Sequence, residues 1–250
     1  MPDKIKLEVC ANSVESAINA QHGGAYRVEL CDNLYEGGTT PSIASIETTR
    51  RNIEIKLNVL IRPRGGDFLY KDFELDIMKY DIIRAKDAGA DGIVMGVLNR
   101  DAEIDIDKFS RLIEAAGTMS VTFHRAFDMV REPFAALQQL ISLGVERVLT
   151  SGMKNKASEG VDLISQLVKV ADGKISIMPG SGINASNARE IIEKTNVTEI
   201  HASCRRMIES SMIFRRDNIH MGGLKDIPEF GNYVTDTRLV KDLIGIINNK

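Results

Sequence analysis

Short apolar runs rich in Val, Ile and Leu recur along the chain, separated by longer segments with helical spacing of their apolar positions. A strand buried in a parallel sheet reads as such a run, because neither of its faces meets water. Eight runs can be placed, near Lys6–Val9, Arg27–Leu30, Lys56–Leu60, Gly92–Met95, Ser120–Phe123, Arg147–Leu149, Ser176–Met178 and Glu199–Ala202. The even-numbered runs share a lead-in: GGAYRVEL, AGADGIVM, LGVERVLT and a degenerate TNVTEIHA. Each places Gly or Asn where a helix ends just before a buried strand, so a two-strand unit repeats four times. Strands alternating with helices form either an open doubly wound sheet or a closed barrel. No G-x-G-x-x-G follows the first strand, and the even repetition favours closure. The pattern therefore predicts an α/β protein, a (β/α)8 TIM barrel with residues 1–250 as its single domain.

Helix starts are expected at Asn12 with Glu15, at Thr40 before Pro41, and at Asp105, Asn184 and Thr235, whose side-chain oxygens can accept from unpaired backbone N–H groups. Two long loops are expected, Arg62–Tyr70 after strand three and Ser203–Val234 after strand eight.

Composition narrows the function classes. The 250 residues, 43% of them hydrophobic, suffice for one large core. The 32 basic and 35 acidic residues are interspersed, with a net charge of -3, and no basic block could neutralise a run of phosphates. Nucleic acid is therefore not an expected partner. The start MPDKIKLEVC is too short and too charged for a signal peptide, and no eighteen apolar residues occur in succession, so no membrane partner is expected and the location reads as cytoplasmic. Three cysteines suit a reducing compartment in which thiols stay free.

In a barrel of this kind, residues at the carboxyl ends of the strands face the ligand. Strand one ends in Glu8 and Cys10, strand two in Glu29 and Cys31, strand three in Asn58 and Arg62, strand five in His124 and Arg125, and strand eight carries His201. The sequences KLEVC and RVELC repeat one pattern on strands that should be neighbours. A period of two puts Glu8 with Cys10, and Glu29 with Cys31, on common inward faces, while Leu7, Val9, Val28 and Leu30 face the helices. Two thiols at adjacent strand ends could hold one soft metal ion, Cu(I) or zinc. Cysteine is equally a small, commonly buried hydrophobe. Glu8 and Glu29 would either pair with Arg62 or Arg125 in a buried ionic network, or act beside His124 as general acid or base.

After strand seven, IMPGSGINASNA reads as a glycine-rich turn opening a helix, a place where barrels hold anions. Gly180, Ser181 and Gly182 are candidates for that role, with Arg125 and Arg205 adding charge; the glycines could equally serve only to turn the loop. No strand end carries a lysine for a Schiff base, since Lys6, Lys56 and Lys174 stand at strand beginnings. His22 reads as a surface residue at a helix end, and Met207, Met212 and Met221 as packing beneath the last loop.

The segments LEVCANSVESAINAQHGGAYRVELCDNLYEGGTTPS, VLIRPRGGDF, GADGIVMGVL, VTFHRAFD, LTSG and PGSGIN together resemble the CutC family, copper homeostasis proteins with a barrel fold. The likeness runs from about Leu7 to Arg205. It implies a cytoplasmic protein linked to control of intracellular copper, with Cu(I) as the bound metal. It also implies Cu(I) ligation by Cys10 and Cys31, the positions that match the family's two proposed ligand cysteines.

Two functional expectations follow. In the first, Cys10 and Cys31 capture Cu(I) as thiolates without turnover, in linear geometry. In the second, the barrel is an enzyme acting on a small anionic or phosphorylated metabolite. The anion would rest on Gly180–Gly182 and Arg205, Arg62 would clamp a second acidic group, and His124 with Glu8 or Glu29 would move a proton. Association of copies through the outer helices is a further expectation, making a homo-oligomer.

Overall fold

Each apolar run forms a strand that begins at its expected residue. The computed structural model describes residues 4–221 and 227–248. The strands are β1 (Lys6–Ala11), β2 (Arg27–Leu30), β3 (Lys56–Leu60), β4 (Gly92–Met95), β5 (Ser120–Phe123), β6 (Arg147–Thr150), β7 (Ser176–Pro179) and β8 (Glu199–Ala202). They form one parallel sheet in the order β7-β6-β5-β4-β3-β2-β1-β8. β7 also lies against β8 without a ladder pairing, so the barrel is nearly closed. The helices α1 (Val14–Gly23), α2 (Ile43–Asn52), α3 (Asp72–Asp87), α4 (Ile106–Ala116), α5 (Pro133–Ser142), α6 (Val161–Ala171), α7 (Ala188–Thr195) and α8 (Thr237–Asn248) alternate with the strands.

The fourfold lead-in has a single structural cause. Gly24, Gly89, Gly144 and Asn196 all adopt positive φ, 92°, 85°, 72° and 56°, at the turns that deliver the chain into β2, β4, β6 and β8. Glycine and asparagine tolerate this left-handed conformation, which ends a helix and reverses the chain.

Helix starts were less legible than strand starts. Asp105 caps α4 as expected, but α1 is capped by Ser13 rather than Asn12 and α2 by Ser42 rather than Thr40. α7 begins after Asn187, and α8 begins at Thr237, beyond the expected Thr235, with the Asp236 carboxylate accepting from the Arg238 N–H. Where two capping residue types stand side by side, backbone geometry chooses between them.

Ser203–Val234 is not a plain loop. Within it β9 (Arg205–Glu209) pairs antiparallel with β10 (Gly231–Thr235), while residues 222–226 of the expected loop lie outside the described residues. Met207, Met212 and Met221 are exposed rather than packed beneath this hairpin.

The apolar core lies between barrel and helices, built from the outward strand residues Leu7, Val9, Val28, Leu57, Val59 and Ile93 against helix residues such as Met78, Phe109 and Leu137. Inward positions stack in layers of four contributed by alternate strands. Glu8, Asn58, Thr122 and Met178 come from odd strands, and Arg27, Gly92, Arg147 and Glu199 from even strands. Toward the carboxyl ends stand Glu29, Val94, Leu149 and His201, then Cys10, Leu60, His124 and Gly180. The barrel interior is thus charged near its middle and mixed at its mouth.

Candidate metal and ligand site at the barrel mouth

A buried ionic cluster forms the floor of the site. Arg27 pairs through Nε with Glu8 and through Nη2 with Glu199 Oε2 at 2.6 Å. Arg147 reaches the same Glu199 oxygen at 3.0 Å and donates to Thr122 Oγ1 at 3.0 Å. Two guanidinium groups therefore face two carboxylates, which balances charge in a region closed to water. Burial alone would raise the pKa of Glu8, but Arg27, then His201 and Arg147, overcome it and bring it to about 2. The other Glu8 oxygen, Oε1, lies 2.8 Å from His201 Nδ1. Burial disfavours a charged imidazole, yet hydrogen bonds to Cys10 and Glu8 and the charge of Glu29 hold the His201 pKa well above its ordinary value. His201 is thus a cation poised between Glu8 and Cys10.

Cys10 and Cys31 meet above this floor. Their Sγ atoms are 3.5 Å apart, and both thiols are free. The register explains the meeting: Cys10 on β1 sits opposite Glu29 on β2, so the inward residues Glu29 and Cys31 both stand beside it. The hydrogen bond from Cys31 favours the Cys10 thiolate most; burial opposes it and His201 supports it, giving a pKa of about 5. Cys31, as the donor, is held well above the usual thiol range by that same bond and by burial. Glu29 is pushed up to about 8, chiefly by burial, with the charges of Cys10 and Glu8 adding to it against the opposing pull of His201. One ligand atom each from Cys10, Glu29 and Cys31 lies within 4.8 Å of the others, as does a second set from Glu8, Glu29 and His201.

The expected pairing of Glu8 and Glu29 with Arg62 or Arg125 is not what the structure shows. Arg62 instead donates through Nη1 to the carbonyls of Glu36 and Gly38 and through Nη2 to that of Gly66, which fastens the β2 and β3 loops together. Arg125 pairs with Asp128 at 2.8 Å and reaches Ser151 Oγ at 2.9 Å. The floor is filled instead by Arg27 and Arg147, the first residues of β2 and β6.

A cavity of about 290 Å³ opens over the cysteines, walled by Cys10, Glu29, Arg62, Phe68, His124 and His201 among others. His124 stands away from the carboxylates: its Nδ1 accepts from the Ala126 N–H at 3.1 Å, and Phe68 packs on it with ring centroids 4.8 Å apart. Burial, then the charge of Arg62, pushes its pKa down to about 3. Gly180 spends its N–H on the Thr150 carbonyl, and the Ser181 carbonyl accepts from Ala157. Arg205 lies on the hairpin, 4.5 Å over the Tyr233 ring, and lines a different cavity with Asn12, Asp32 and Asn33. The geometry thus gathers Cys10, Glu29, Arg62, His124 and Arg125 on one cavity, with Cys31 and Glu8 buried beside and beneath it, and leaves Arg205 outside it.

Sequence reasoning passed over Arg27, Arg147 and Glu199, and left His201 undecided. The available signal was the two-residue period that turned Glu8 inward, since the register gives these residues the same phase.

A family model described as the CutC family matches residues 5–206. A human protein named copper homeostasis protein cutC homolog is 48% identical over 243 residues, 97% of this chain and 89% of its own length. A CutC family protein of Parabacteroides distasonis is 48% identical over 239 residues, 95% of this chain and 98% of its own. The solved CutC chain from Streptococcus agalactiae superposes with a TM-score of 0.77 at 36% identity, covering 80% of this chain and 98% of that one. An N-(5'-phosphoribosyl)anthranilate isomerase from Pyrococcus furiosus superposes with a TM-score of 0.57 at 15% identity, covering 98% and 100%, a likeness of fold alone. With the family model spanning most of the sequence and relatives nearly half identical to it, the chain belongs to the CutC family.

Proposed function

We propose that this protein serves copper homeostasis in the cytoplasm by binding Cu(I) as cargo, through the thiolates of Cys10 and Cys31. The observation that carries the reading is the pair of free sulfurs 3.5 Å apart at neighbouring strand ends, open to the mouth cavity on the Cys10 side. Soft thiolates select Cu(I) over hard cations, and a metal must displace their protons. The Cys31 hydrogen bond and His201 lower that cost at Cys10.

The separation bears on coordination. With metal–sulfur bonds of about 2.3 Å, a linear arrangement needs sulfurs about 4.6 Å apart, and the present spacing corresponds to an angle of roughly 100°. A bent site completed by a third donor fits better than the linear one expected, and Glu29 is the nearest candidate. Three free cysteines, and the absence among the described residues of any helix long and apolar enough to cross a membrane, support the cytoplasmic assignment. The names of the human and Streptococcus agalactiae relatives support the copper role.

An anaerobic competition titration against a Cu(I) chelator tests the proposal. Tight, one-to-one binding is expected, with a loss of at least a hundredfold in a Cys10→Ser, Cys31→Ser double variant; unchanged affinity in that variant would remove the reading.

A further inference from the structure

Two sulfurs holding Cu(I) leave the rest of the mouth cavity unexplained. Three of the residues that wall it each hold, just behind its surface, a buried polar atom without a hydrogen-bond partner: Glu29 Oε2, Arg62 Nε and His124 Nε2. Buried polar atoms are normally paired, so three orphans around one cavity mark the outline of a missing partner.

The chemistry of each orphan is fixed by its other bonds. His124 Nδ1 accepts the Ala126 N–H, so the ring proton rests on Nε2 and that atom is a donor. Burial, with Arg62 nearby, keeps the ring neutral at working pH. Arg62 spends both terminal nitrogens on carbonyl oxygens of Glu36, Gly38 and Gly66, and its guanidinium also interacts with the buried Tyr70 hydroxyl, so its Nε–H is the one donor that a ligand would take over from that weak contact. Both side chains touch the same ring: Phe68 lies 4.8 Å from the His124 ring and 5.2 Å from the Arg62 guanidinium carbon. Two N–H donors, one of them on a cation, match an electron-rich oxygen. Glu29 contributes an oxygen from β2, which a hydroxyl can satisfy as donor or acceptor.

We propose that the mouth cavity binds a small 2-hydroxy carboxylic acid, whose carboxylate accepts from Arg62 Nε and His124 Nε2 and whose hydroxyl meets Glu29 Oε2. Phe68 covers both donors, and the ligand reaches them by displacing that ring. The site adjoins the cysteine pair and does not depend on copper.

Glycolate is the probe, added to metal-free protein labelled with 15N-histidine, with acetate and inorganic phosphate as comparisons. Glycolate is expected to shift the His124 Nε2–H resonance saturably and to bind at least tenfold more tightly than acetate or phosphate. Binding should weaken at least tenfold in His124→Phe, strengthen in Phe68→Ala, and persist in the Cys10→Ser, Cys31→Ser variant. Because that variant lacks the copper ligands, failure of the copper reading and failure of this one are separable. An unmoved His124 resonance at saturating glycolate in both wild type and Phe68→Ala overturns the proposal, as does equal affinity for acetate or phosphate.

Discussion

His201 and Glu8 lie 193 residues apart in the chain, yet His201 Nδ1 and Glu8 Oε1 are 2.8 Å apart inside the barrel. Pairing of β8 with β1 sets them directly opposite each other. The contact joins the ionic floor to the cysteine pair, because His201 also supports the Cys10 thiolate.

Replacing Glu8 by Gln leaves Arg27 and His201 short of a buried counter-charge. Breaking a buried pair from one side costs about 3–5 kcal/mol. Urea denaturation at pH 7 should show a loss of that size, with the midpoint moving to lower urea. A variant as stable as wild type would mean that water reaches this floor.

Reactivity of Cys10 should follow its two supports. Cys31→Ala removes the hydrogen bond from Cys31, and His201→Phe removes both the hydrogen bond and the charge of His201, so both variants should move the Cys10 titration upward from about 5. The pH profile of iodoacetamide alkylation, with Cys10 identified by peptide mass, reads this directly. A profile that stays in place in both variants contradicts the assigned network.

Glu29 makes stability fall as pH rises. Its carboxyl stays protonated to about 8 when folded, against 4.5 without the protein environment, so protons bind the folded state more tightly. The contribution is full below pH 4.5 and disappears as pH climbs through 8, a change of several kcal/mol at about 1.4 kcal/mol per unit. Glu29→Gln should flatten that part of the profile and be more stable than wild type at pH 8.5. Parallel urea curves at pH 5 and pH 8.5 check it, and identical slopes for the two proteins would place Glu29 in contact with water.

Strand positions were legible because the strand face that packs on the helices must be apolar whatever it pairs with. Arg27–Leu30 and Glu199–Ala202 show this: Val28, Leu30, Ile200 and Ala202 alternate with charged or polar inward residues, and each strand has the bounds expected of it. The inward phase of Glu8, Cys10, Glu29 and Cys31 followed from the same periodicity. Partner choice was not legible: whether Glu8 meets Arg62, Arg125 or Arg27 depends on register between distant segments, which no local pattern encodes. The β9–β10 hairpin was hidden for a related reason, since Arg205–Glu209 and Gly231–Thr235 are too far apart to carry a tight-turn signature. Arg205 was drawn into the anion site by its place after β8, and the hairpin carries it to the Tyr233 ring instead.

The central claim is that Cys10 and Cys31 together ligate Cu(I). X-ray absorption at the copper edge, on protein loaded anaerobically with one equivalent of Cu(I), tests it most directly. Two sulfur scatterers and one lighter N or O neighbour are predicted, with both sulfurs lost in the Cys10→Ser, Cys31→Ser variant. A first shell of nitrogen and oxygen alone, or a sulfur shell that survives the double substitution, would contradict it.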